Sequence, residues 1–277
     1  MRFSIGSELN YRALRDTTMI LNIEAQEGAG QRVLSESFTV SPNLPSERHE
    51  VAETGNRYRR LMLQAGISYS VRYAAEVETS PVFHRPDRVG QVPVSELPLG
   101  VMNHLFASRY CQSDQLGRFA WRRFGEVEEG YARVDAICDW IHENVDYLEG
   151  SSNISTSAYD TFTTRAGVCR DFAHLGISFC RALGIPARFV SAYGWKLEPQ
   201  DFHAVFEAFL DGRWYLFDPT RLSPPEGLVR IGLGHDAADT AFATFFGQIE
   251  SDPKTVWMNE IGPAASHEDK AVSLSAA

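Results

Sequence analysis

Over residues 1–80 apolar and polar positions alternate in short runs, and no stretch carries a long helical period. Residues 19–25 and 67–73 read as strands, separated by turn-forming clusters at 27–30 and 41–45, where Gly28, Gly30, Pro42 and Pro45 fall. This predicts a β-sandwich-like or barrel-like module over residues 1–98. Pro81, Pro86, Pro93 and Pro98 then mark a linker. Beyond it the period changes. Val134, Ile137, Cys138 and Ile141 share one face of a helix over Tyr131–Asn144, and residues 148–157 form a polar loop. From Cys169 onward, Phe172, Ala173, Gly176, Phe179, Cys180 and Leu183 recur at helical spacing, while Arg170, Asp171, His174, Ser178 and Arg181 take other faces. Gly184 and Pro186 supply the stop. Residues 189–195, 202–210 and 213–218 read as strands, the last two joined by the hairpin dipeptide Asp211-Gly212. After residue 250 the chain turns small and polar, and residues 266–277 are expected to form a disordered tail. The predicted class is α+β, divided into a β-rich module (1–98), a mixed core (99–250) and a C-terminal extension (251–277).

Composition narrows the options. With 277 residues, 44% hydrophobic and 22% charged, the chain is long enough for one large domain or two ordinary ones. The formal charge of −10 argues against nucleic-acid binding, which needs a basic face. No apolar run approaches the roughly 18–20 residues of a membrane span, and the first residues lack the apolar core of a signal peptide. Four cysteines without a C-x-x-C pair suggest neither a disulfide framework nor zinc, so a reducing, cytoplasmic setting is expected.

The candidate chemistry lies in three segments: Gly167-Val168-Cys169-Arg170-Asp171-Phe172, Asp201-Phe202-His203-Ala204-Val205-Phe206-Glu207, and Phe217-Asp218-Pro219-Thr220. Cys169 opens a helix, where unpaired N–H groups and the positive end of the dipole favour a thiolate and can hold an oxyanion. If Asp211-Gly212 is a two-residue turn, Leu210 pairs with Arg213. Val205 then lies opposite Asp218, and His203 opposite Thr220. His203 and Asp218 become diagonal neighbours on one face, about 7–8 Å apart at the backbone and within side-chain reach. A carboxylate on one ring nitrogen fixes the tautomer and leaves the other for the thiol. Cys138 and Cys180 sit mid-helix among apolar residues and read as core. His174 reads as structural, and Glu207 as structural or catalytic.

At these segments, and at residues 157–162 and 165–175, the chain resembles the bacterial transglutaminase-like cysteine proteases. The family's cysteine, histidine and aspartate fall on Cys169, His203 and Asp218. The resemblance is strongest over residues 100–250 and implies a papain-like transglutaminase core, with a cysteine-bearing helix packed on an antiparallel sheet. The chain departs from the family pattern at Val205, where a tryptophan is frequent and a smaller residue is expected to open the cleft to water. It departs again at residues 234–239, which stand in for a Gly-Arg-Asp-Ala-Ala-Asp stretch. The implied function is hydrolysis of amide or peptide bonds through a thioester acyl-enzyme. The alternatives are acyl transfer to an amine, giving cross-links, or a catalytically silent peptide-binding module. The expected partner is a peptide or protein substrate, with no cofactor, metal, nucleic acid or membrane. Cys169 N–H supplies one oxyanion donor, with Tyr159 and Trp140 as weak candidates for a second. The N-terminal module is expected to bind substrate, occlude the cleft or drive homo-oligomerisation.

Overall fold

A computed structural model of the chain describes residues 1–262 and 270–274. The chain opens with seven strands: β1 (Arg2–Ala13), β2 (Thr17–Leu21), β3 (Gln31–Ser41), β4 (Ser46–Glu50), β5 (Arg57–Leu63), β6 (Ser68–Thr79) and β7 (Val82–His84). Helices α1 (Ser113–Phe124) and α2 (Tyr131–Asn144) follow, then a two-residue strand β8 (Asp146–Tyr147). Next come α3 (Ala158–Thr164), a second two-residue strand β9 (Ala166–Gly167) and α4 (Cys169–Ala182). The remaining strands are β10 (Ala187–Gly194), β11 (Phe202–Leu210), β12 (Arg213–Phe217), β13 (Leu228–Gly234), β14 (Ala243–Phe246), β15 (Ile249–Ser251), β16 (Thr255–Glu260) and β17 (Ala271–Ser273).

The N-terminal strands form two sheets. One runs β15-β1-β6-β3 with β16 beside β15 on the same edge of β1, and the other runs β14-β2-β5-β4. Strict alternation drives their packing: Tyr69, Val71, Tyr73, Ala75 and Val77 of β6 are buried and meet Phe3, Ile5 and Leu9 of β1 and Met19, Leu21, Leu61 and Leu63 of the second sheet. The predicted β-sandwich-like character holds, but the module is not closed within residues 1–98. Strands β14, β15 and β16 return from beyond residue 240 to pair with β2 and β1. The tail expectation is corrected in part. Ala271–Ser273 is a buried strand paired with β7, and Val272 and Leu274 pack on Val205 and Leu216. Residues 266–269 and 275–277 of that expected tail lie outside the described residues.

The core sheet is antiparallel in the order β12-β11-β10-β13. The Asp211-Gly212 hairpin forms with the expected register, Leu210 against Arg213 and Phe206 against Phe217. Both turn residues have positive φ, 46° at Asp211 and 76° at Gly212, as a tight hairpin of right-handed twist requires. Helix α4 lies between this sheet and the other helices. Phe172, Leu175, Ile177 and Phe179 are all at most 1% exposed. Each contributes on the order of 1.5–3 kcal/mol relative to exposure. Gly176 lets α4 settle on β11, since a Cβ there would come within 2.6 Å of the Phe206 ring.

Asp171, His174, Ser178 and Arg181 of α4 are buried as well. Asp171 accepts from Val168 N–H (2.9 Å) and pairs with Arg170. His174 stacks on Tyr110 and accepts from Ala237 N–H, and Arg181 donates to the carbonyls of Phe106, Ala187 and His235. Residues 234–239 are therefore part of the cover over α4, with Asp236 accepting from Tyr110 N–H at 2.8 Å. These bonds make burial of the polar face tolerable.

Candidate active site

Cys169 is the first residue of α4 and is half-buried. Val168, in extended conformation, is the cap residue, and its own N–H is held by the Asp171 carboxylate. That carboxylate both caps the helix and fixes the loop that delivers Cys169.

His203, near the start of β11, is 1% exposed, and its Nε2 lies 2.8 Å from Asp218 Oδ2. Asp218 follows directly on β12. The diagonal relation expected from the hairpin register is thus realised as a hydrogen bond. Asp218 is held by further donors: Thr220 N–H (2.9 Å) and Oγ1 (2.6 Å) on Oδ1, and Ser223 N–H (3.1 Å) on Oδ2. These donors and the ring leave the carboxylate little freedom to rotate. Because Nε2 faces a carboxylate, it carries the proton. Nδ1 has no partner of ordinary hydrogen-bond geometry, yet the ring is close enough to Cys169 for the sulfur to influence its charge. Burial opposes charging of His203, but Asp218 and then Cys169 outweigh it, and its pKa is raised to about 10. Burial likewise opposes charging of Asp218, but the imidazolium and the Thr220 donors hold its carboxyl below the usual range. The pair is therefore an imidazolium–carboxylate at neutral pH.

The other histidines and cysteines stand apart. His174 is wholly buried, and desolvation holds it well below the ordinary imidazole range. Burial pushes the Cys111 thiol up to about 12 and raises Cys138 and Cys180 further. Glu207 is bridged by Arg188 and Arg230, both at 2.6 Å, which makes it a buried structural anion. Val205 is 0% exposed among Val190, Ala192, Leu216 and Leu228. It lines no opening, so the expectation that it admits water is corrected.

Neither Trp140 nor Tyr159 stands at the thiol. Trp140 is 6% exposed and packs with Phe119, Phe124, Phe162 and Phe179, while Tyr159 borders a groove between α1 and α3. Tyr147 stands near enough to Cys169 to feel its charge: burial first, and then Cys169, hold the phenol above its ordinary range. Sequence reasoning passed over it, because only the two-residue parallel pairing of β8 with β9 brings it there. A cavity of about 440 Å³ has Asp218 in its lining, together with Lys196, Arg221, Leu222 and Pro225.

The fold defines a papain-like α+β core, with its cysteine on a buried helix and an antiparallel sheet beneath. Residues 120–219 match the family model of the transglutaminase-like superfamily, and residues 1–99 match that of the bacterial transglutaminase N-terminal domain. The structure also superposes on the crystal structure of a presumed cysteine protease from Cytophaga hutchinsonii with a TM-score of 0.93 and 43% identity, covering 99% of this chain and 97% of that one. The chain belongs to the transglutaminase-like superfamily. Among curated proteins, an uncharacterised protein of Mycobacterium leprae is 32% identical over 130 residues, 46% of its length. One of Mycobacterium bovis is 43% identical over 53 residues, 17% of its length. The chain thus spans less than half the length of these curated relatives.

Proposed function

We propose that the protein is a cysteine-dependent hydrolase of amide or peptide bonds, with Cys169 as nucleophile, His203 as proton carrier and Asp218 as its orienting partner. The observation that carries the reading is the 2.8 Å His203–Asp218 bond behind a ring whose other nitrogen is left for the Cys169 side. The sulfur adds to the substrate carbonyl carbon, and the oxygen takes the negative charge beside the Cys169 N–H. His203 passes its Nδ1 proton to the departing amine as the C–N bond breaks, leaving a thioester and a neutral ring. Water then adds to the thioester, and His203 takes its proton. Collapse breaks the C–S bond and releases the acid. Asp218 keeps Nε2–H oriented and stabilises the imidazolium at both protonated stages.

Hydrolysis is favoured over transfer to an amine. An acceptor lysine has a pKa near ~10.4 and must be delivered neutral to the thioester. The test combines mass-spectrometric trapping of the acyl-enzyme from a peptide ester with product partitioning at rising concentrations of a primary amine. The acyl adduct is expected on Cys169, to be absent in His203→Ala, and to give free acid as the main product at millimolar amine. No adduct on Cys169 overturns the reading. An amine adduct dominating at low amine concentration replaces it with cross-linking.

A further inference from the structure

We infer that the groove between α1 and α3 docks an extended, acidic peptide segment of a partner protein. The inference goes beyond the hydrolase reading and does not depend on Cys169. The groove encloses about 480 Å³, within the size range of ligand pockets. Its apolar surface is aromatic. Phe119 of α1 and Phe162 of α3 are only half-buried, and their rings meet edge to face with centroids 4.8 Å apart. Tyr159, 42% exposed, extends the α3 wall. The α1 wall carries Arg118, Arg122 and Arg123, all exposed, and no carboxylate lines the groove. In a chain with 36 acidic and 26 basic residues, this local excess of cations runs against the whole.

Arg122 and Arg123 fall in the last turn of α1, where the helix dipole by itself favours cations. Arg118 lies mid-helix, so the dipole does not account for it. Among the described residues neither Arg118 nor Arg122 has an ion-pair partner. A fourth guanidinium, that of Arg165, stands over the Phe162 ring at 4.7 Å, and its buried Nη1 has no hydrogen-bond partner. The aromatic floor is thus flanked by cations that no carboxylate neutralises. Arg118 and Arg122 are one turn apart, a rise of about 6 Å along the helix. In an extended peptide, residues i and i+2 share a face and lie about 6.6 Å apart. Two carboxylates with that spacing reach both guanidiniums, each of which can hold a carboxylate through two parallel N–H···O bonds. The residue between them points to the opposite wall, onto Phe162 and Tyr159, where an apolar side chain leaves water. The segment that fits is therefore acidic, apolar, acidic. A long polyanion such as a nucleic acid fits worse, because beyond the groove it meets a chain of net charge −10.

Fluorescence anisotropy on the full-length Cys169→Ala protein tests this without consuming the probe, so binding is read apart from turnover. The probe is a short fluorescein-labelled peptide in which one leucine lies between two glutamates and the remainder is serine and glycine. Saturable binding is expected, weakening as salt rises. Adding Arg118→Gln and Arg122→Gln together is expected to raise Kd by about 10-fold or more. Both side chains are exposed, so the fold is expected to survive, and an unchanged thermal melt checks it. Replacing the glutamates of the probe by lysines is expected to abolish binding, and replacing its leucine by serine to weaken it. No saturation at about 1 mM glutamate peptide overturns the inference, and so does an unchanged Kd in the double variant. Equal binding of the lysine peptide, or of the serine peptide, removes the acidic-apolar match and also overturns it. Tighter binding of a labelled oligothymidylate makes the groove a nucleic-acid surface and overturns it as well. Loss of the hydrolase reading leaves these outcomes unaltered, since none of them requires a reaction at Cys169.

Discussion

Replacing Asp218 by Asn removes one charge from a pair that is almost wholly buried, and the pH dependence of the resulting loss can be worked out. His203 is 1% exposed, and its pKa stands at about 10 in the folded protein. In the unfolded chain it returns to ~6.5. A group whose folded pKa is raised contributes its full stabilisation below the unfolded value and loses it as pH rises through the folded value. At ~1.36 kcal/mol per unit, the linked stabilisation is on the order of 4–5 kcal/mol at pH 6, about 3 kcal/mol at pH 8 and under about 1 kcal/mol at pH 10. Asp218 itself has a depressed pKa, so its own contribution is lost only as pH falls below the usual carboxylate range, outside this window. In Asp218→Asn only the smaller influence of Cys169 is left to oppose burial, which disfavours the charged ring, and most of the linked stabilisation disappears. Urea unfolding of both proteins, followed by tryptophan fluorescence at pH 6, 8 and 10, measures the difference directly. The gap is expected to be widest at pH 6 and to narrow steadily toward pH 10. A gap that stays constant across these pH values refutes the argument, since it means that His203 is neutral in the folded protein.

Limited iodoacetamide labelling with peptide mapping is expected to modify Cys169 first, because burial shields Cys111, Cys138 and Cys180 and raises their pKa values; earlier modification of any of the three contradicts the site. Gly176→Ala places a methyl group 2.6 Å from the buried Phe206 ring. It is expected to destabilise the protein by about 1–3 kcal/mol in a thermal or urea melt; an unchanged melt means that β11 yields without cost.

Features specified by neighbouring residues were legible in the sequence. The Asp211-Gly212 hairpin set its own register, and with it the relation of His203 to Asp218. The periodicity of α2 marked Val134, Ile137, Cys138 and Ile141, all of which are buried. The start of α4 followed from the glycine and the apolar run around Cys169. What escaped depends on contacts far apart in the chain. Periodicity separates apolar from polar positions on α4, but it does not reveal that residues 106–111 and 234–239 cover the polar ones with carbonyls and N–H groups. Tyr147 reaches Cys169 through a pairing of two residues, too short to leave a pattern. Ala271–Ser273 looks like a polar tail by composition, yet it is held by β7 and by the apolar cluster around Val205.

The return of β14, β15 and β16 to the N-terminal sheets bears on how the molecule assembles and how it can be divided. Strand β1 is zipped to β6 on one side and to β15 and β16 on the other, with Phe3 facing Glu260 across nearly the whole sequence. Such pairing is entropically costly to nucleate and slow to form, so closure of the first sandwich is expected to be a late step in folding. A fragment ending near residue 98 would leave one edge of β1 and one edge of β2 bare, the kind of surface that recruits strands from other chains. A fragment starting there would expose Tyr193, Phe202, Val229 and Ile231, which lie in the core of the N-terminal sheets. The two matched regions are therefore separable in alignment but share strands and core, and they are expected to unfold as one cooperative unit, with either half aggregation-prone when excised.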